Sequence, residues 1–266
     1  MSSSLNHPCE QQAIWVNGIR DAQVPGDDPG LLFGLTVFET LRTYGGVPFR
    51  LDAHLERLEA SARAMHFSLP DRGSLRAEFL QVSQGDVSLR YTVTGGGARI
   101  LQRIPIKAGT ACRPMRVAQM SWVNPVSLPG AVKHGCRAAW LLAAQAAGVD
   151  EVLLVDPAGQ ILEANRSNVF AVDHGVLITP PLDGRQLAGV TREALMEAAR
   201  RAEIPVEERP LSVESAFQEF YLASTLKELS PVVEMDGQTL TGGGPVGATL
   251  HRAFRALVAE ECGPLA

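Results

Sequence analysis

Apolar positions recur along this chain at two spacings, and the switches between them set out an order of elements. Short apolar runs bounded by turn residues predict strands at residues 13–16, within 31–49, at 88–93, 100–106, 115–122, 206–210 and 219–223, and two further apolar runs flank residues 156–159 as a hairpin. Asn17-Gly18 and Asp156-Pro157-Ala158-Gly159 are hairpin turns by composition. Helical spacing covers residues 51–65, where Leu55, Leu58, Ala62 and Met65 form one stripe with His54 and Arg57 beside it. Further helices are predicted over 74–84, 138–147 with Gly148 as C-cap, 191–202, a short one at 213–217, and 248–261. Residues 224–231 read as a loop. Gly95-Gly96-Gly97 reads as a hairpin tip or as backbone lying close to a ligand.

Strands and helices mix in both halves, which predicts an α/β (mixed α+β) protein of two domains. The expected division is residues 1–122, a Pro/Gly-containing linker at 123–130, and residues 131–266.

Composition narrows the function classes. The 266 residues are 45% hydrophobic and 20% charged with a net charge of −5, which describes a globular chain with no basic surface for nucleic acid or an anionic membrane. The start lacks a basic-then-apolar leader pattern, and no apolar run approaches the roughly 20 residues that span a bilayer. Cys9, Cys112, Cys136 and Cys262 show neither C-x-x-C nor Cys/His ligand spacing; a reducing cytoplasm and no zinc or disulfide framework are therefore expected. Basic residues are strongly biased: of 24 Lys+Arg, the lysines are Lys107, Lys133 and Lys227. Chemistry that needs an amine has few candidates.

The stretch 149–192 carries the densest signal. A hairpin leads into a polar cluster, and Leu187-Ala188-Gly189-Val190-Thr191-Arg192 then opens an amphipathic helix. Its first amides and the Thr191 hydroxyl could meet an anion, or the segment could be an ordinary helix start.

Taken in order, Trp15-Val16-Asn17-Gly18, Val37-Phe38-Glu39-Thr40-Leu41-Arg42, His54-Leu55-Glu56-Arg57-Leu58, the 149–192 stretch and Gly242-Gly243-Gly244-Pro245 resemble the class IV aminotransferases. These are the fold-type IV pyridoxal-phosphate enzymes: branched-chain and D-amino-acid aminotransferases and 4-amino-4-deoxychorismate lyases. The resemblance spans nearly the whole chain. It implies two mixed sheet-and-helix domains, a homodimer, and pyridoxal 5′-phosphate as cofactor. Residue by residue, it implies Lys133 as the Schiff-base lysine and base at the substrate Cα, whose amine must be tuned by its surroundings. Glu163 would pair with the pyridine nitrogen and keep the ring an electron sink. Arg57, the amides of Val190 and Thr191, and the hydroxyls of Thr191 and Thr225 would form the phosphate cup, with Leu187 against the ring. For the substrate carboxylate the candidates are Arg90, Arg99, Arg137 and the amides of Thr225 and Leu226. Strand alternation lets either Arg90 or Tyr91 face the site, and Arg137 lies one turn from Lys133 if that segment is helical.

Some positions depart from the relatives. Ala138 stands where branched-chain enzymes carry a tyrosine, and Lys133-His134-Gly135-Cys136-Arg137 is similar to the Lys-His-x-Asn-Arg of the lyases with Cys136 for Asn. Leu35-Thr36 replaces the usual Asp-Gly. Gly189-Val190-Thr191-Arg192 and Thr225-Leu226-Lys227-Glu228 are similar to transaminases. The expected activity is amino transfer between an amino acid and a 2-oxo acid, with the lyase, which eliminates pyruvate from aminodeoxychorismate in folate biosynthesis, as the alternative. A family member that keeps the fold without the chemistry is a third possibility.

Overall fold

A computed structural model describes residues 12–265; the polar start and Cys9 lie outside that range. The chain forms two compact units.

The first unit contains the described residues up to Lys107, Lys133–Cys136, and the chain from Val258 onward. Its elements are β1 (Ala13–Val16), β2 (Ile19–Arg20), α1 (Pro29–Phe33), β3 (Thr36–Tyr44), β4 (Val47–Pro48), α2 (Leu51–Ala64), α3 (Arg72–Gln81), β5 (Val87–Thr94) and β6 (Arg99–Pro105). They make a six-stranded antiparallel sheet ordered β2-β1-β6-β5-β3-β4. The triple glycine is the β5–β6 hairpin tip, with Gly97 at φ 88°. On one face Leu55 and Leu58 of α2 and Leu75 and Phe79 of α3 are fully buried with Val37, Leu41, Leu89 and Tyr91; each such side chain is worth on the order of 1.5–3 kcal/mol.

The second unit contains Ala108–Val132 and Arg137–Leu257. Its elements are β7 (Met115–Ser121), α4 (Ala138–Ala147), β8 (Glu151–Val155), β9 (Gln160–Ala164), β10 (Asn168–Asp173), β11 (Val176–Thr179), α5 (Val190–Arg201), β12 (Val206–Glu208), β13 (Leu211–Ser212), β14 (Glu219–Ser224), β15 (Glu228–Met235), β16 (Gln238–Thr239), and most of α6 (Pro245–Cys262). Nine strands run in the order β12-β11-β10-β14-β15-β7-β8-β9-β13, with β16 added on β15. The sheet is mixed, since β7 pairs in parallel with both β8 and β15. All five residues of β8 are buried because both faces are covered. Leu153 and Val155 enter the main core with Val117, Val169 and Leu222, whereas Val152 and Leu154 pack on Trp140 and Ala144 of α4.

The mixed α/β class is as expected, and the compact units part after Lys107, with Lys133–Cys136 returning to the first. Strand β7 belongs with the second unit because its ladder partners are there, and Lys133–Cys136 belongs with the first because His134 bridges Val37 of β3. Pairing between distant segments overrides linear order. Two local expectations fail. Residues 213–217 form turns rather than a helix, and the expected loop at 224–231 is a tight turn, 225–227, from which β15 starts directly.

Candidate active site

The first unit carries the lysine. Lys133 runs along the open edge of β3: the Phe38 amide donates to the Lys133 carbonyl at 3.0 Å, the Gly135 amide to Thr36 O at 2.9 Å, and the Lys133 amide to Ser61 Oγ at 3.1 Å. Gly135 is required for this approach, because a Cβ there would lie 2.0 Å from Thr36 Oγ1. The segment is thus extended, and α4 begins only at Ala138. The Lys133 Nζ sits 5.0 Å from the Phe38 ring centroid, over which Arg90 also stacks, at 3.7 Å. Such an edge fixes the lysine backbone, and the side chain is half-buried.

Beside it lies a buried ion network. Glu39 is fully buried and accepts from Arg57 Nε at 2.7 Å, from Arg57 Nη2 at 2.8 Å and from His54 Nδ1 at 2.8 Å. Burial alone would raise the Glu39 pKa, but the Arg57 charge and the hydrogen bonds of Arg57 and His54 hold it well below the usual carboxylate range. Burial lowers the His54 pKa; Glu39 opposes this, and the charges of Arg57 and Lys133 add to it. Arg57 therefore enters any anion site with its fork already oriented by Glu39.

The second unit carries the other candidates. Glu163, on β9, accepts from Asn168 Nδ2 at 3.3 Å and from the Leu187 amide at 3.2 Å, and Asn168 Nδ2 also donates to the Leu187 carbonyl at 3.0 Å. Asn168 also lies against Gly189, where a Cβ would come within 1.9 Å of Asn168 Oδ1. Gly189 is the N-cap of α5 and gives it no side-chain cap, so the buried Val190 and Thr191 open a helix whose first amides are available to an anion. Thr225 and Leu226 form the turn between β14 and β15.

Three arginines expected near the substrate part company. Arg90 shares the Phe38 face. Arg99 is on the opposite side of the sheet: it pairs with Val93, of the same parity as Tyr91, and its Nη2 donates to Glu78 Oε1 at 2.9 Å while the Tyr91 hydroxyl donates to Glu78 Oε2 at 2.6 Å. Alternation thus takes Arg99 with Tyr91 and away from Arg90. Arg137 stands at the N-cap position of α4 without a side-chain cap bond, donates to the Asn165 carbonyl at 2.7 Å and lies 5.3 Å from the Trp140 ring. The helical turn that was to bring it to Lys133 does not form. Glu39 and Asn168 were not singled out by sequence. A glutamate on the apolar parity Val37, Glu39, Leu41 was the available signal for the first; nothing local marked the second.

The family model for amino-transferase class IV matches residues 36–235. The chain belongs to the class IV aminotransferases. It is 31% identical to the branched-chain-amino-acid aminotransferase of Salmonella typhimurium, covering 93% of each chain. Identity to the D-alanine aminotransferase of Listeria innocua is 27%, over 92% of this chain and 94% of the relative. A solved structure of the branched-chain aminotransferase from Thermoproteus uzoniensis superposes with a TM-score of 0.82 at 26% identity, covering 94% of this chain and 95% of that one. The chain is therefore an enzyme of the fold-type IV class, and the activity is amino transfer; the lyase alternative gains no support from these relatives. The family's cofactor is pyridoxal 5′-phosphate, and this class IV aminotransferase has groups of the right chemistry for it: a backbone-pinned lysine, a carboxylate held by two donors, and an uncapped helix start cradled at Gly189. Among the described residues no helix is long and apolar enough to cross a membrane.

Proposed function

We propose that this enzyme moves an amino group between an amino acid and a 2-oxo acid with Lys133 as the condensing amine and the base at Cα. Bound pyridoxal phosphate supplies the aldehyde and the electron-accepting ring. In this reading Glu163 holds a proton at the pyridine nitrogen, Arg57 and the Val190–Thr191 helix start hold the phosphate with Thr225, and Leu187 packs on the ring. Lys133 carries the proton between Cα and the cofactor carbon that receives the amino group. Arg90, which like Lys133 lies over the Phe38 ring, is the first substrate-carboxylate candidate in this reading, with the Thr225 and Leu226 amides as further candidates. The names of the relatives make aliphatic amino acids the first substrates to try.

The observation that carries this reading is the Lys133 edge, where main-chain bonds on both sides and a glycine two residues on leave the lysine fixed beside β3. The enzyme works in this reading as a cytoplasmic homodimer, consistent with Leu31, Leu32 and Phe33 of α1 being 56–70% exposed. The test is transfer from a panel of L- and D-amino acids to 2-oxoglutarate, with Lys133→Ala as control. Turnover by Lys133→Ala at the wild-type rate would end the proposal.

A further inference from the structure

We propose that Cys112, Glu228 and His251 form a site for a zinc-like divalent cation. Cys112 lies before β7, Glu228 opens β15 and His251 projects from α6, so the three are distant in sequence and their spacing gave no ligand motif. Their ligand atoms nevertheless lie within 4.8 Å of one another.

The contacts converge on a single point. Cys112 Sγ is 3.2 Å, and Glu228 Oε2 2.6 Å, from the same atom, His251 Nε2. A nucleophilic relay would use both ring nitrogens, one toward the thiol and one toward the acid; here sulfur and carboxylate meet at one nitrogen, the arrangement that a shared cation imposes. With metal bonds of about 2.0 Å to nitrogen or oxygen and about 2.3 Å to sulfur, tetrahedral ligands stand roughly 3.3–3.6 Å apart. Both separations must open to reach that range, S–N by roughly 0.3 Å and N–O by roughly 0.7 Å.

Outer contacts hold the donors in place. Arg255 Nη1 donates to Glu228 Oε1 at 3.0 Å, which turns Oε2 toward His251, as outer-shell partners of metal ligands do. Cys112 and Glu228 both have left-handed backbones, at φ 57° and 55°. Glu228 is 1% exposed and His251 30% exposed, so the cation enters from the histidine side and keeps one position for water. A thiolate, imidazole and carboxylate set favours zinc over magnesium or calcium. On binding, the Cys112 thiol and His251 Nε2 each release a proton to solvent and each gain a bond to the metal, while Glu228 binds through Oε2.

The site also bears on the neighbouring turn. The Cys112 amide donates to the Lys227 carbonyl at 3.0 Å, so a bound ion ties down residues 225–228.

The test is a titration of the chelator-treated holoenzyme with cobalt(II), read in the visible d–d bands of a four-coordinate ion. One equivalent should bind and give those bands; Cys112→Ser should lose them and Cys136→Ser keep them, while hydrogen exchange at 225–228 slows on loading of the wild type. X-ray absorption on the zinc-loaded wild type removes any dependence on variant folding and should show one sulfur at about 2.3 Å. No four-coordinate spectrum, bands that persist in Cys112→Ser, or a shell without sulfur would overturn the site in favour of a hydrogen-bonded cluster only.

Discussion

Replacing Glu39 by glutamine should loosen the first unit locally and misalign Arg57. The carboxylate accepts three hydrogen bonds at 2.7–2.8 Å and is fully buried, while the Arg57 side chain is 11% exposed. Breaking one partner of a buried pair costs about 3–5 kcal/mol, since the remaining charge is uncompensated. Glutamine keeps the volume and one acceptor oxygen, which offsets part of this, so a net loss of about 2–4 kcal/mol is expected. At 1.4 kcal/mol per factor of ten, amides of α2 and β3 that exchange through opening of this region should lose roughly 30- to 700-fold protection. Native-state hydrogen exchange read on those peptides at neutral pH is the assay. Glu39 has a depressed pKa when folded, so its contribution is present above the ordinary carboxylate value of 4.5 and is lost as pH falls toward the folded value. The gap between wild type and variant should accordingly shrink on acidification below about pH 4.5. Equal protection at neutral pH, or a gap that grows in acid, would refute the network as the element that fixes Arg57.

Three further outcomes follow from the same geometry. His54 is buried with a lowered pKa, so the unfolded chain takes its proton first and stability should fall as pH drops below 6.5; His54→Gln should flatten that limb in melting temperatures measured from about pH 7 to about pH 5, and an unchanged pH dependence would count against it. Thr191→Ala removes a hydroxyl from the α5 start and should weaken cofactor binding by about tenfold, read by equilibrium dialysis; wild-type affinity would take Thr191 out of the phosphate site. At Gly130 a Cβ would stand 1.9 Å from the Arg185 carbonyl, so Gly130→Ala should displace the 183–187 loop that leads to Leu187, seen as faster exchange of its amides.

Periodicity was enough for the longer helices, though not for 213–217. The α2 stripe through Leu55, Leu58 and Ala62 is buried, α4 ends at Gly148 in the left-handed conformation, and α5 starts one residue from the predicted position. Motif order was enough for the family. What the sequence hid were contacts closed over long separations: β7 pairing with β15, His134 bridging Val37, and Asn168 clasping the segment before α5. Hydropathy carries no information about which distant strand completes a ladder, so these pairings could not be read from the run of residues. The helical turn expected from Lys133 to Arg137 is absent for a related reason, since Lys133–Cys136 lies along a sheet edge and α4 starts only at Ala138. Arg99 was separated from Arg90 by strand parity, which needs the β5–β6 register and not only the run of residues.

In the proposed reading Lys133, and not Lys107 or Lys227, is the amine joined to the cofactor. Lys227 is the instructive rival, for it is half-buried and its Nζ pairs with the buried Glu151. Borohydride reduction of the holoenzyme fixes the lysine–cofactor linkage, and peptide mass mapping then locates it. One reduced cofactor per chain is expected, on the peptide containing Lys133. Labelling of Lys107 or Lys227, or no stable adduct in an active preparation, would contradict it.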